Sequence, residues 1–486
     1  MTKAKGQNGL LGYLHWAIGV AIMLLGYVLP ASEPLTPMGV KVLMVFVGMI
    51  YLWCTVNPIG SSLLALFMVS VVGYAPFSTI LAEGISEANW LVVFYSCILF
   101  MSAIESGMPK YISHGIFKST QNIVTGRPMV LIFIIMCAAF VLSALTNIIP
   151  TILMFWAICY AIIEELGLEK RDGYSMLLIL SSFMGAMLGN AALPFKGATL
   201  IIISAFEKAS ELHIPYGPYI IINLICSILI MAVFCIVSKY IFRIDLSKVK
   251  NIDGCILAKE QLEPMSISVR VHFIAVFGFI ILVLLASMIP PTAMVYQVLN
   301  NWGTEGIAVI LLVVLFIVKD KGKTCINIKA TMETMPWPAI FMVMTAVYMA
   351  GALKNNDVTG VIPWLKGIMN PILGGHSEFI FAALIFVIAM VLTCFFHNGA
   401  LGNMLMPVLF VVADANGYQS VAIAAMMTLA INMAFLAPSA SNYAPLLHGN
   451  KEYVTLKDIW TYGLFFEVLT FAVFLFLGLP MAKIMM

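Results

Sequence analysis

Four short polar interruptions in a very apolar chain hold the residues able to do chemistry. Two are turns, Ser143-Ala-Leu-Thr146-Asn147-Ile-Ile-Pro150 and Cys394-Phe-Phe-His397-Asn398-Gly399-Ala400, and neither contains an acidic residue, lysine or arginine. Two are proline-containing breaks, Gly189-Asn-Ala-Ala-Leu-Pro194-Phe-Lys196-Gly197 and Phe435-Leu-Ala-Pro438-Ser439-Ala-Ser441-Asn442. Where a helix stops, its last carbonyls are free and carry the negative end of its dipole; where one restarts, free N–H groups carry the positive end. Anions suit the restart and cations the stop. Asn147 and Asn398 serve either, each having an amide oxygen and two amide protons.

Lys196 lies about 10 positions before the polar loop that begins at Glu207, roughly 15 Å deep if the intervening segment is helical. A lysine at that depth faces a cavity or a partner; one that snorkels along a path shortened by the break is the plainer reading. His397 places a second potential cation at the other turn, against the plainer reading of a neutral histidine with one backbone partner. An ordinary kink accounts for any single Asn-x-x-Pro turn. Two turns and two breaks in the same order call for a common architecture.

That architecture follows from the rest of the 486 residues, of which 62% are hydrophobic and 10% charged, with a mean hydropathy of +1.03. A water-soluble core cannot use so much apolar surface. Uncharged runs from Leu11 to Pro30, Val42 to Tyr74, Trp90 to Ile104, Met129 to Ile163, Tyr216 to Ser238, Val271 to Pro290 and Phe379 to Val412 are each long enough to cross a bilayer, or to cross and return. The expectation is an all-α polytopic membrane protein of about eleven transmembrane helices. Segments 128–165 and 377–415, which leave and return on the same side, are read as two re-entrant hairpins whose tips are the polar turns, with two full spans each as the alternative that charge leaves open. Turns at membrane depth must line protein or a water-filled cavity, because lipid cannot satisfy their backbone groups.

With the amino terminus in the cytoplasm, the basic loops 110–127, 243–270, 319–329 and 448–457 all fall inside, as the positive-inside rule requires. Lys354 and Lys366 are exceptions, and the carboxyl terminus falls outside. The first apolar run has no small-residue cleavage site and is read as a retained span. Nine cysteines show no CxxC or metal-ligand spacing and are read as packing residues. The net charge of +2 gives no reason to expect nucleic acid.

An internal repeat aligns these features within a single unit, 1–486. Trp90 opens a span 57 positions before Asn147, and Trp337 opens one 61 positions before Asn398; a broken span follows each tip. The repeats are read as 38–243 and 270–486, in opposite senses because an odd number of spans separates them. Inverted repeats with broken helices form a transporter architecture with its site near the midplane. No HExxH motif, facing carboxylate pair or nucleophile beside a base is present, so an enzyme lacks its usual parts. A channel filter would repeat like residues, and a cation carrier would place acidic residues at the breaks. The cation Lys196 and the amide and hydroxyl donors favour a small anion, a di- or tricarboxylate before sulfate. A channel, or a carrier of neutral or cationic solutes, is the alternative from another class.

At these same residues the chain resembles the divalent anion:sodium symporter family, carboxylate and sulfate transporters of the wider ion transporter superfamily. The likeness lies in the Asn-containing tips, the proline-containing breaks and the terminal Tyr453-Val-Thr-Leu-Lys-Asp-Ile-Trp-Thr-Tyr-Gly463 segment. It implies eleven spans, two opposed hairpins, a homodimer and elevator-like movement. It also implies tips and breaks that hold sodium ions together with substrate carboxylates. The substrate-binding residues expected at these tips and breaks are Thr146, Asn147 and Thr151 at the first tip, and Pro194, Lys196, Gly197 and Thr199 around the first break. In the second half they are His397, Asn398 and Gly399, then Pro438, Ser439, Ser441 and Asn442. Sodium positions would be Ser143, Asn147, Gly189 and Asn398.

The departures from the family pattern bear on sodium. Leu193 and Lys196 replace a threonine and a glycine of the first break, and Ser441 replaces a threonine of the second. Lys196 and His397 would then be tethered cations standing in for coupling ions, giving a sodium-independent exchanger or a proton-linked carrier. No cofactor is expected, with sodium or a proton as the coupling ion; a sodium- or proton-coupled symporter of sulfate or another anion remains the alternative.

Overall fold

Asparagine, serine and threonine start the helices here, and proline often occupies the first helical turn. The computed structural model describes residues 9–249, 263–289, 293–373, 375–394, 396, 398–437, 440–441 and 443–486. After α1 (Gly9–Leu24), Thr36 caps α2 (Pro37–Thr55) by accepting from Gly39 N at 2.9 Å, and Asn57 caps α3 (Pro58–Val71) by accepting from Ile59 N at 2.8 Å. These are short polar side chains satisfying orphan N–H groups ahead of a proline that needs none.

The first half continues through α4 (Phe77–Ser86), α5 (Ala88–Glu105), α6 (Met108–Val124), α7 (Pro128–Leu145), α8 (Ile148–Glu165), α9 (Gly173–Asn190), α10 (Gly197–Ser210) and α11 (Tyr216–Tyr240). The second runs through α12 (Ile267–Met288), α13 (Met294–Ile317), α14 (Ile328–Thr334), α15 (Trp337–Lys354), α16 (Asn356–Thr359), α17 (Val361–Leu373), α18 (Glu378–Leu392), α19 (Asn398–Asn416), α20 (Ser420–Ile431), α21 (Ala444–Gly449), α22 (Leu456–Val473) and α23 (Leu479–Met485). Among the described residues the strands are a single pair, β1 (Lys319–Asp320) and β2 (Lys323–Thr324).

The protein is thus an all-α polytopic membrane fold. Among the described residues nine helices are long and apolar enough to cross a membrane, and α4 with α5, bent by 55°, makes a tenth. The expected figure was about eleven. The apolar helices α3, α18 and α20 fall short of a full crossing in this count, because breaks and turns divide the chain into pieces. The order of elements also recurs: a short helix, the Trp-opened α5 or α15, an intervening helix, two helices meeting at a polar tip, and a span broken at proline.

The broken helices form the middle of the protein. Every residue of α9 from Tyr174 to Gly189 is buried, as is all of α20 except Val421, whereas α12 and α13 bury only about a third of their residues. Two glycines let α9 lie directly on α7. A Cβ at Gly185 would fall 2.4 Å from the Met136 carbonyl oxygen, and one at Gly189 2.1 Å from that of Phe140. This close approach fixes the first tip against the first break.

Candidate functional site

At the first tip, α7 ends where Thr146 and Asn147 interrupt the apolar run. Thr146 Oγ1 donates to the Leu142 carbonyl at 2.6 Å, and Thr151 Oγ1 donates to the Asn147 carbonyl at 2.8 Å; the two hydroxyl oxygens lie 3.0 Å apart. Asn147 Oδ1 accepts from Ile149 N at 3.0 Å and so caps α8. Pro150, in the first turn of α8, removes an N–H that no helical carbonyl would have met.

The first break faces this tip. After α9 stops, the freed carbonyls are taken up by side chains of neighbouring helices: Tyr219 donates to Ala191 O at 3.0 Å and Ser96 to Phe195 O at 3.3 Å. Lys196 then stands at the N-cap of α10, followed by Gly197 at φ +52°, a conformation that favours glycine. The Lys196 ammonium donates to the Ser143 carbonyl and, at 3.2 Å, to that of Ala144. A cation therefore sits on the carbonyl end of α7, the sign the helix dipole favours there.

The second half is held by a comparable set of bonds. Asn398, 3% exposed, begins α19, and Thr393 Oγ1 lies 3.2 Å from its Oδ1 while donating to Ile431 O at 2.7 Å. Ser441 Oγ donates to Ala434 O at 2.8 Å and accepts from Ala444 N at 3.1 Å; Tyr443 donates to Asn432 O at 3.0 Å. Asn432 Nδ2 donates to Thr428 O at 2.8 Å and reaches Thr199 Oγ1 of the other half at 3.3 Å. The two breaks are therefore joined by a buried polar contact.

Between tips and breaks lies a cavity of about 420 Å³. Asn147 and Ile148 at the start of α8, Gly197 and Ala198 at the start of α10, and Asn398 at the start of α19 all line it. Three helix N-termini thus border one space, with Lys196, Asn190, Ser441 and Tyr443 beside them. Apolar side chains make the far wall, Phe100 and Met101 of α5 and Met342 of α15 among them. None of the described lining residues is acidic. Positive helix ends and an ammonium around a space free of carboxylates favour an anion. The volume suits a small organic molecule.

Of the residues singled out in the sequence, Asn147, Lys196, Gly197, Asn398 and Ser441 come together on the cavity. Thr146, Thr151 and Thr199 are buried in the frame behind it, and Pro194 is buried within the first break. Ser143 contributes its carbonyl to Lys196, Gly189 packs on Phe140, and Gly399 packs on Ile201, 3.1 Å from a Cβ placed there. His397, Pro438, Ser439 and Asn442 lie outside the described residues. Sequence reasoning passed over Asn190 and Tyr443, which flank the two breaks, and the α5 and α15 wall, whose signal was the Trp90 and Trp337 openings.

Polar tips and broken helices enclosing an anion-favouring cavity within a membrane fold define a multi-pass membrane transporter. The family described as sodium:sulfate symporter transmembrane region matches residues 12–486, and the chain belongs to that family, one of secondary transporters of anions. It is the family the tips and breaks resemble. Solved structures share the fold: the YdaH transporter of Alcanivorax borkumensis has 12% identity over 96% of this chain and 97% of its own, with a TM-score of 0.54. MtrF of Neisseria gonorrhoeae, one of a class of antimetabolite efflux pumps, has 13% identity over 96% and 94%, also with a TM-score of 0.54. A comparison with curated protein sequences gives no match.

Proposed function

We propose that this protein carries a small dicarboxylate without sodium at its first tip, Lys196 supplying the positive charge there, and that it works by exchange. The observation carrying this reading is the Lys196 ammonium on the Ser143 and Ala144 carbonyls. Free carbonyls at a helix stop are what a coupling cation would use, and here a covalently attached cation holds them. A sodium ion leaves with its substrate; a tethered ammonium stays behind. The empty carrier would return with that charge uncompensated, whereas a second anion restores the balance. An apolar wall opposite polar tips favours a carbon chain with charged ends over a bare tetrahedral oxyanion.

Element order repeated on either side of residue 250 supports inverted repeats and an elevator-like movement of the tips and breaks against α5 and α15. Homodimerisation, a cytoplasmic amino terminus and an external carboxyl terminus complete the proposal, the orientation resting on the positive-inside pattern.

The test is thermal stabilisation of the purified protein by succinate, malate, citrate, tartrate, sulfate and neutral analogues, in sodium and in choline. A ligand at 100 times its Kd stabilises by about 2.7 kcal/mol if it binds only the folded state. Equal stabilisation by a dicarboxylate in both cations is the expected result. Stabilisation only in sodium would return the protein to sodium-coupled symport, response to sulfate alone would replace the carboxylate, and response to neutral analogues alone would remove the anion site.

A further inference from the structure

Helix α22 belongs to the apolar stretch Leu456–Met485, long enough to cross the membrane. Glu467 lies about 16 Å along it from Leu456 and is 6% exposed. Among the described residues both its carboxylate oxygens are buried without a hydrogen-bond partner, as is Thr470 Oγ1 three residues on, a residue 0% exposed. Between Asp458 and Val473 the helix carries no other Asp, Glu, Lys, Arg or His. A lone carboxylate charge in such a place is far too costly to keep, so it must be neutralised. The oxygens have almost no accessible surface, leaving no room for a hydrated ion beside them. A proton is the cation that needs none.

Its surroundings connect it to the candidate site. On the same face, Gly463 packs against Phe435 and Leu436 of the second break, and the Phe466 ring meets Phe435 at 6.2 Å. Among the described residues, the titratable groups within electrostatic reach of Glu467 are the Cys394 thiol at the second tip and the Tyr443 hydroxyl of the second break; His397 of that tip lies outside them. From α11 the packed neighbour is the Phe234 ring, 5.7 Å from Phe466. The charged groups of α18 and α23, Glu378 and Lys483, are paired with each other at 2.5 Å. Tyr462 of α22 packs on Phe242 at 4.4 Å.

We propose that Glu467 is a proton-binding site linked to the anion cavity, neutral when an anion is bound at the second tip and break. The proposal rests on the reading of that cavity as an anion site. Tyr443 both lines the cavity and lies within the field of Glu467, so a negative charge on Glu467 opposes an anion there and a proton removes the opposition. Linkage is reciprocal: the anion then holds the proton more tightly. Glu467 keeps its proton in this closed packing with or without the anion, so the empty carrier still holds Lys196 uncompensated; where rising pH draws the proton off to water the affinity for the anion falls, and no bond of the substrate changes.

The experiment is infrared difference spectroscopy of the purified full-length protein across pH, with and without succinate, beside melting curves and succinate titrations over a range in which succinate is fully ionised. A protonated-carboxyl band is expected that is lost in Glu467→Gln and persists to higher pH with succinate. Wild-type affinity should fall by up to about tenfold per pH unit above the midpoint, and this dependence should be weaker in Glu467→Gln, where Lys196 still lines the cavity. Glu467→Asp keeps a titratable group and should shift the midpoint, which preserves the test if the glutamine variant folds poorly. Identical carboxyl bands in wild type and Glu467→Gln, or a band unmoved by succinate that does stabilise the protein, would overturn the proposal while leaving the anion site. Absence of stabilisation by any anion would overturn both, and is read separately in the melting curves.

Discussion

Replacing Lys196 by methionine removes the ammonium while keeping a flexible apolar side chain in its place. Two separate losses follow. The Ser143 and Ala144 carbonyls lose their charged donor, and each carbonyl left without a partner costs about 1–3 kcal/mol, so the ligand-free melting temperature should fall. The cavity also loses the one cation among its described lining residues. For a carboxylate on the order of 6 Å away in a medium of effective dielectric about 20, that interaction is about 3 kcal/mol, or about 100-fold in affinity. Calorimetric titration with succinate in choline buffer measures the second loss, and melting curves without ligand measure the first. Uptake of labelled succinate into succinate-loaded liposomes then shows whether exchange falls with affinity. Wild-type affinity in Lys196→Met, or sodium stimulation of equal size in wild type and variant, would refute the reasoning.

Asn147→Ala and Asn398→Ala should each abolish measurable succinate binding and leave protein that is monodisperse in detergent; the lost cap on α8 costs about 1 kcal/mol in the first case, visible as a small fall in melting temperature. Gly189→Ala puts a Cβ 2.1 Å from the Phe140 carbonyl oxygen, and forcing α7 and α9 apart should destabilise by roughly 1–3 kcal/mol or more, a loss read by denaturation with and without succinate. Unchanged stability there would mean that the two helices do not pack through their glycines.

The legible part of the site was the part written locally. Asn147, Asn398, Lys196 and the prolines of the breaks interrupt apolar runs, and a polar group at membrane depth has so few solutions that its position alone points to a cavity. Gly189 shows the limit of that reasoning. Its place in a glycine-containing break suggested an ion ligand, while its packing against Phe140 depends on a helix about fifty residues earlier in the chain. Glu467 is the converse: an acid inside an apolar run can be seen in the sequence, but its isolation from every described donor appears only once α11, α18 and the second break are packed around α22.

The sequence by itself determined the class of protein, because burying so many apolar residues in a chain with so few charges requires a bilayer, and it placed the tips and breaks, because helix ends are set by neighbouring side chains along the chain. Only the tertiary structure decided that the Lys196 ammonium meets carbonyls 53 and 52 residues away, that Thr199 meets Asn432 across the two halves, and that α5 and α15 wall the cavity. Those contacts arise from the packing of remote helices, which apolar periodicity leaves open when every face of a helix is apolar.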